Sequence, residues 1–142
     1  MIQGLKRLKT EEFKDGRGII TEIFKSFPVK SVTHTVSLPQ TLRCIHVQGW
    51  DKIIYVATGL VYAGFYDDRK KSKTYQEIEQ IVIEPGQAYF IPKGVGNSFL
   101  VVGTQAVNYF YFNKENYDSK KMYGISYKKM TWPLGKKIMS KK

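Results

Sequence analysis

Cysteine is almost absent. Cys44 is the single one in 142 residues, which excludes an intrachain disulfide framework and a cysteine-rich metal site. Histidine is nearly as scarce, with only His34 and His46. No apolar run reaches the length of a membrane span. The first residues, Met1 to Arg7, lack the apolar block of a secretory signal, so a cytoplasmic location is expected. Acidic residues are also short, 12 against 23 Lys and Arg, and the net charge of +11 points to an anionic partner. Nucleic acid is one such partner, but zinc-finger spacing, a helix-turn-helix pattern and an RNA-binding aromatic motif are all missing. A phosphorylated small molecule needs only a few of the charges. The remainder, gathered in Lys120-Lys121, Lys128-Lys129, Lys136-Lys137 and Lys141-Lys142, reads as solvated surface.

What is present is rich in strand-forming residues. Aromatic content is 14%, mostly Tyr and Phe, and Val and Ile are frequent, a mixture that suits pleated, half-buried sheets. Residues 1–12 read as a lead-in strand or arm, and Asp15-Gly16-Arg17-Gly18 as a tight turn. Strands are expected at 19–24, 32–37 and 42–48. Two hairpins are expected, one pairing 53–57 with 60–66 across Thr58-Gly59, the other pairing 99–102 with 106–112 across Gly103-Thr104. Further strands are expected at 75–83 and 87–91, separated by Glu84-Pro85-Gly86. Many short strands punctuated by Gly and Pro, with little amphipathic helix, predict a single all-β domain over residues 1–142, a sandwich or barrel. Glu115 to Lys121 reads as a helical turn, and the segment from Tyr127, with Trp132-Pro133, as an arm packed by its aromatic residues.

The densest chemistry lies in Leu42-Arg43-Cys44-Ile45-His46-Val47-Gln48 followed by Lys52, which puts Arg, His, Gln and Lys within eleven residues. A histidine titrates nearest neutral pH and so suits proton transfer. On spacing alone a satisfied structural histidine fits as well.

Several stretches together resemble the dTDP-4-dehydrorhamnose 3,5-epimerase family. Asp15-Gly16-Arg17-Gly18 with Glu22 and Phe24 resembles "D-x-R-G…E-x-F", and Leu42 to Gln48 resembles "L-R-G-L-H-Y-Q", with Lys52 where the family lysine follows. Gly59-Leu60-Val61 and Asp67 to Ser72 resemble "G-x-V…V-D-x-R-x-x-S". Ile91-Pro92-Lys93-Gly94 with Phe99 resembles "I-P-x-G-x-x-H-G-F", while Tyr111, Glu115, Tyr117 and Trp132-Pro133 match the family's later landmarks. Two positions depart. Asn97 stands where the family has its second histidine, and Met139-Ser140-Lys141-Lys142 carries no Asp where the family has the aspartate that partners its catalytic histidine.

The resemblance implies an RmlC-like cupin jelly roll, commonly a homodimer that exchanges N-terminal strands, and a nucleotide-sugar substrate. It implies a proton-transfer reaction through an enolate, with His46 as base, Tyr111 as acid on the opposite face and Lys52 as the charge beside the enolate oxygen. Asp67 is the substitute expected to orient His46. Arg17, Arg43 and Lys93 are expected at the diphosphate, Tyr117, Glu22 and Phe24 around the nucleobase, Gln48 at sugar or phosphate, and Asn97 where specificity changes. Although cupins often carry a metal, the usual set of several histidines is missing, so no metal and no other cofactor are expected. The function expected is epimerisation of a nucleotide-linked 4-keto-6-deoxy sugar at C3, C5 or both, in deoxysugar biosynthesis. A related keto-sugar isomerase and a non-catalytic sugar-nucleotide-binding cupin are the alternatives. Nucleic-acid and membrane partners are not expected.

Overall fold

The computed structural model describes residues 1–133 and 138–139. Lys136-Lys137, Lys141-Lys142 and Ser140 therefore lie outside the described residues. The strands are β1 (Lys6–Leu8), β2 (Glu11–Asp15), β3 (Gly18–Glu22), β4 (Ser31–Ser37), β5 (Thr41–Gln48), β6 (Lys52–Thr58) and β7 (Leu60–Asp67). They continue as β8 (Ile78–Ile83), β9 (Ala88–Ile91), β10 (Val95–Val102), β11 (Val107–Asn113), β12 (Met122–Gly124) and β13 (Ile138–Met139). Among the described residues the helical content is two 3₁₀ turns, Ser119–Lys121 and Tyr127–Lys129. No helix among them is long and apolar enough to cross a membrane.

The strands form two main sheets, as the all-β reading expects. One runs β1-β9-β6-β11-β4; the other runs β12-β5-β10-β7-β8, with β13 added parallel to β5. The two sheets face each other over a core of Ile54, Val56, Val61, Ala63, Phe65, Ile83, Phe99, Val101 and Tyr109. Strand β11 shows why: Val107, Tyr109, Tyr111 and Asn113 are buried, while Asn108, Phe110 and Phe112 between them are partly exposed. A period of two turns alternate side chains to opposite faces.

Both expected hairpins prove to be corners between sheets. β6 and β11 lie in the first sheet, β7 and β10 in the second, so neither β6–β7 nor β10–β11 pairs. The turn at Gly59 has φ of 83°, and a Cβ there would come within 2.8 Å of the Ala106 carbonyl oxygen. Glycine thus lets the chain turn sharply from one layer to the other. β10 also starts earlier than expected, at Val95, which brings Asn97 into the strand.

The central strands of the second sheet, β5, β10 and β7, are covered on both faces. The sheet's outer side packs Leu42, Ile45, Tyr66 and Leu100 against Met130 and Trp132 of the late segment. Gly64 leaves room for this cover, since a Cβ would sit 3.0 Å from the Trp132 ring. Trp132 crosses Tyr62 edge-on and donates its Nε1–H to the Tyr127 carbonyl at 3.1 Å, which bears out the aromatic arm.

The pair β2–β3 stands apart. It forms its own two-stranded sheet, Glu11 opposite Glu22 and Asp15 opposite Gly18. All five residues of β2 are exposed.

Candidate active site

A β-bulge in β5 builds the site. On the neighbouring strand Asn97 lies opposite His46 and Phe99 opposite Arg43, so Cys44 and Ile45 together face the single residue Ser98. Residues three apart on a regular strand point to opposite faces; the extra residue rotates the chain so that both point the same way. Leu42 and Ile45 pack into the outer cluster, leaving Arg43 and His46 directed between the sheets.

The corner from β5 to β6 supplies the next groups. Gln48 ends one strand and Lys52 begins the other, in the facing sheet. The Lys52 ammonium donates to the Gln48 side-chain oxygen. Trp50, between them, is buried and donates Nε1–H to Asn113 Oδ1 at 2.9 Å. Asp51 accepts the Lys93 backbone N–H at 2.7 Å and the Gly49 N–H reaches the Lys121 carbonyl at 2.7 Å, so the corner is tied down on both sides.

Lys52 is 0% exposed, which is rare for lysine. Burial pulls its pKa down to about 7, with nearby Asp51 opposing the shift. Its amine therefore exchanges between charged and neutral forms near physiological pH.

Tyr111 enters from the facing sheet, on β11, with its side chain directed inward. Burial pushes its hydroxyl up to about 12, partly offset by a hydrogen bond from Asn97 and by the Arg43 charge. The group thus holds its proton throughout the neutral range. Arg43 reaches across from the second sheet, donating Nε–H to Ser37 Oγ on β4 at 2.7 Å. Tyr117 stands edge-on to Trp50 with ring centres 5.8 Å apart, about half exposed.

His46, Lys52, Tyr111, Arg43, Gln48 and Asn97 thus converge between the sheets, with Tyr117 beside them. Trp50, Ser37 and Asn113 complete the setting; reading the sequence missed them. Ser37 sits six residues from Arg43 with no motif to mark it, whereas a tryptophan inside the Gln48–Lys52 corner was visible as a large apolar residue in a tight connection.

The other expected residues sit elsewhere. Asp67 does not serve His46 as expected. Its Oδ1 accepts from Arg69 Nε at 2.8 Å, and its Oδ2 accepts from Ser72 Oγ at 2.7 Å and Thr74 Oγ1 at 2.6 Å. These donors hold the carboxyl well below the usual range against the opposing effect of burial. It is a clamp on the loop between β7 and β8, and its acceptor capacity is spent there. Lys93 is exposed in its loop. Arg17 pairs with Asp15 at 2.6 Å on the exposed hairpin, and Glu22 with Lys25 at 3.4 Å. Phe24 packs against Phe112, on the face of the first sheet away from Tyr111. Within one chain these three do not join His46.

No group of three or more His, Cys, Asp or Glu converges among the described residues. The convergent set is instead one imidazole, one amine, one phenol, one guanidinium and two amides. It can remove a proton, supply one from the facing side and stabilise negative charge between the two.

A family model described as dTDP-4-dehydrorhamnose 3,5-epimerase matches residues 1–142. Over 75 residues the chain is 35% identical to a protein named RmlC homolog from Streptococcus pyogenes serotype M6; that stretch covers 53% of this chain and 38% of the streptococcal protein. The crystal structure of dTDP-4-dehydrorhamnose 3,5-epimerase from Sulfolobus tokodaii is similar with a TM-score of 0.89 at 27% identity, covering 98% of this chain and 86% of that one. ChmJ, a 3'-monoepimerase from Streptomyces bikiniensis solved with dTDP-quinovose, has the same fold, with a TM-score of 0.90 at 22% identity over 99% of this chain and 81% of that one. With its jelly roll of two facing sheets, this chain belongs to the dTDP-4-dehydrorhamnose 3,5-epimerase family.

Proposed function

We propose that the protein epimerises a nucleoside-diphosphate-linked 4-keto-6-deoxy sugar at C3, C5 or both, in deoxysugar biosynthesis. The observation that carries this reading is the placement of His46 and Tyr111 on opposite sheets, both directed into one space beside a fully buried Lys52. A protein that only bound sugar would gain nothing from burying an amine at the cost of its hydration.

The reaction follows from those groups. His46 takes the proton from the carbon next to the ketone, and the C–H electron pair moves to form an enolate. The ammonium of Lys52 stabilises the oxygen that becomes negative; in a space closed to water such a charge acts strongly. Tyr111 then gives its hydroxyl proton to the same carbon from the opposite face. The enolate electrons form the new C–H bond, the C=O re-forms, and the tyrosinate left behind regains a proton from water. The catalytic groups are all side chains of the protein, with no metal or cofactor in the sequence of steps.

Arg43 suits a diphosphate, because its planar fork can meet two phosphate oxygens. Gln48 contacts the sugar or phosphate and Tyr117 offers a ring to the base. Arg17, Glu22 and Phe24 join such a site through a second copy of the chain. Phe13, Ile19 and Ile20 on the hairpin are more than half exposed, as are Val32, Val36 and Leu38 around the outer face of the first sheet. Apolar exposure on that scale favours a homodimer in which the hairpin reaches its partner.

Incubation with dTDP-4-keto-6-deoxyglucose in heavy water tests the activity. Deuterium is expected at C3, C5 or both, and its appearance is expected to cease in His46→Ala. Tight binding of the nucleotide sugar with no exchange in the unaltered protein would favour a sugar-nucleotide-binding cupin.

A further inference from the structure

His46 has a register partner on each side within the second sheet, Asn97 on β10 and Gly124 on β12. The Ile125 N–H bonds the Ile45 carbonyl at 2.9 Å, and the Gly49 N–H bonds the Lys121 carbonyl at 2.7 Å. Ile45–Ile125 and Gly49–Lys121 are thus hydrogen-bonded pairs. Such pairs alternate with non-hydrogen-bonded ones, and His46–Gly124 is one of the latter, where opposed side chains come closest. Opposed residues share a face, so a side chain at position 124 would stand beside the imidazole, between the sheets. The backbone does not require glycine there, because its φ lies outside the left-handed region. Crowding does not require it either: among the described residues a Cβ would meet only the Ile45 carbonyl oxygen, at 3.8 Å. Gly96 on β10 differs, since a Cβ there would come within 2.7 Å of the Ile45 side chain. A glycine inside a strand weakens it, and one that neither turns nor makes way for protein marks a place where a ligand comes close.

We infer that Gly124 is a specificity-determining residue: the volume left by its missing side chain, beside His46, receives the hexose ring of the substrate. This rests on the proposed role of His46. A base must come within hydrogen-bond reach of the proton it takes, so the ring must lie against the imidazole. A pyranose is wider than one side chain, and centred on His46 it overhangs both neighbours in the row. On one side stands Asn97, 2% exposed, with its Oδ1 buried and without a hydrogen-bond partner among the described residues. A sugar hydroxyl supplies that partner. On the other side Gly124 leaves room for ring carbons and their small substituents. The groups proposed for the nucleotide lie away from this pair: Arg43 against Ser37 on β4, and Tyr117 against Trp50. Filling the gap therefore acts on the sugar and spares the nucleotide.

Gly124→Ala and Gly124→Val test this, because a strand accepts either residue. Both are expected to fold, with an unfolding midpoint equal to or above that of the unaltered protein. With dTDP-4-keto-6-deoxyglucose, kcat/KM is expected to fall with the volume added, by about threefold in the Ala variant and about 10-fold or more in the Val variant. Affinity for dTDP alone, read by calorimetry, is expected to stay within about twofold of the unaltered value in both. An unchanged kcat/KM in folded Gly124→Val would overturn the inference. An equal loss of dTDP affinity would also overturn it, because the gap would then serve the nucleotide. So would a lowered unfolding midpoint in the Ala variant, which would give the glycine a structural role. If the unaltered protein neither exchanges deuterium nor binds the nucleotide sugar, the proposed function fails and the inference with it, a result distinct from a Gly124→Val protein as active as its parent.

Discussion

The inter-sheet site and the β2–β3 hairpin carry motif fragments of similar length, yet the structure treats them in opposite ways. Arg43 is half-buried, bonded to Ser37 and close enough to Tyr111 to influence its acidity. Arg17 is 89% exposed at its side chain and bonded only to its hairpin neighbour Asp15 among the contacts seen. An arginine already held between two sheets can meet a phosphate with little further loss of freedom; one on an exposed hairpin must be ordered first. The lesson is that a motif fragment names a residue type needed at the ligand, but the burial around it says whether one chain can deliver it.

The sharpest way to test that contrast is to remove the two proposed proton carriers. His46→Ala and Tyr111→Phe are each expected to lower inversion by about 10²- to 10⁴-fold, the usual range for a positioned acid or base. Arg17→Ala is expected to leave deuterium exchange chemistry intact and to raise KM. Mixing His46→Ala with Arg17→Ala sharpens the comparison further. If the hairpin completes the partner's site, a mixed dimer has one site with His46 intact and Arg17 intact, and inversion at substrate well below the raised KM should increase on mixing. Activity that stays at the level of the separate variants would remove the exchanged hairpin from the account.

Much of this arrangement was legible in the sequence. A strand was expected at 106–112, one residue from its observed bounds, and the order of fragments marked His46, Lys52 and Tyr111 as residues to look for together. Pairing was less legible. The chain around Thr58-Gly59 has the composition of a hairpin turn, and only the position of the facing layer makes it a corner. The bulge at Cys44-Ile45 was invisible for a related reason: period two places Arg43 and His46 on opposite faces, and the extra residue arises from the match with Ser98 fifty residues away in sequence terms, roughly. Asp67 misled because an acidic residue inside a motif looks catalytic, whereas Arg69, Ser72 and Thr74, all within the same loop, already claim it.

A second contrast, in stability as well as in rate, concerns Lys52. A lysine buried at 0% exposure costs stability that a surface lysine does not. With the folded pKa near 7 against an ordinary 10.5, the unfolded chain binds this proton and the folded chain does not between those values. Stability from this group is therefore expected to rise as pH increases from about 7 towards 10, and to be lowest below 7. Lys52→Met is expected to abolish inversion while raising the stability at pH 7 by about 4 kcal/mol at most. The gain should shrink as the pH is raised. Chemical denaturation at pH 7 and pH 9 reads both signs. A variant less stable than the unaltered protein at pH 7 would mean that the Gln48 hydrogen bond outweighs desolvation.

The smallest expected effects lie on the hairpin. Arg17 and Asp15 form an exposed pair, and such pairs contribute roughly 0–1 kcal/mol, so Arg17→Ala should leave the unfolding midpoint nearly unchanged. Ile20 is 68% exposed within one chain, so Ile20→Asp should likewise leave the folded monomer intact. If the hairpin packs on a second copy, however, that substitution places a carboxylate in an apolar contact and should shift the dimer towards monomer. Sedimentation across a concentration series distinguishes the cases. A monomer at every concentration in the unaltered protein would leave Phe13, Ile19 and Ile20 without a partner copy, and would return Arg17, Glu22 and Phe24 to the surface roles that a single chain gives them.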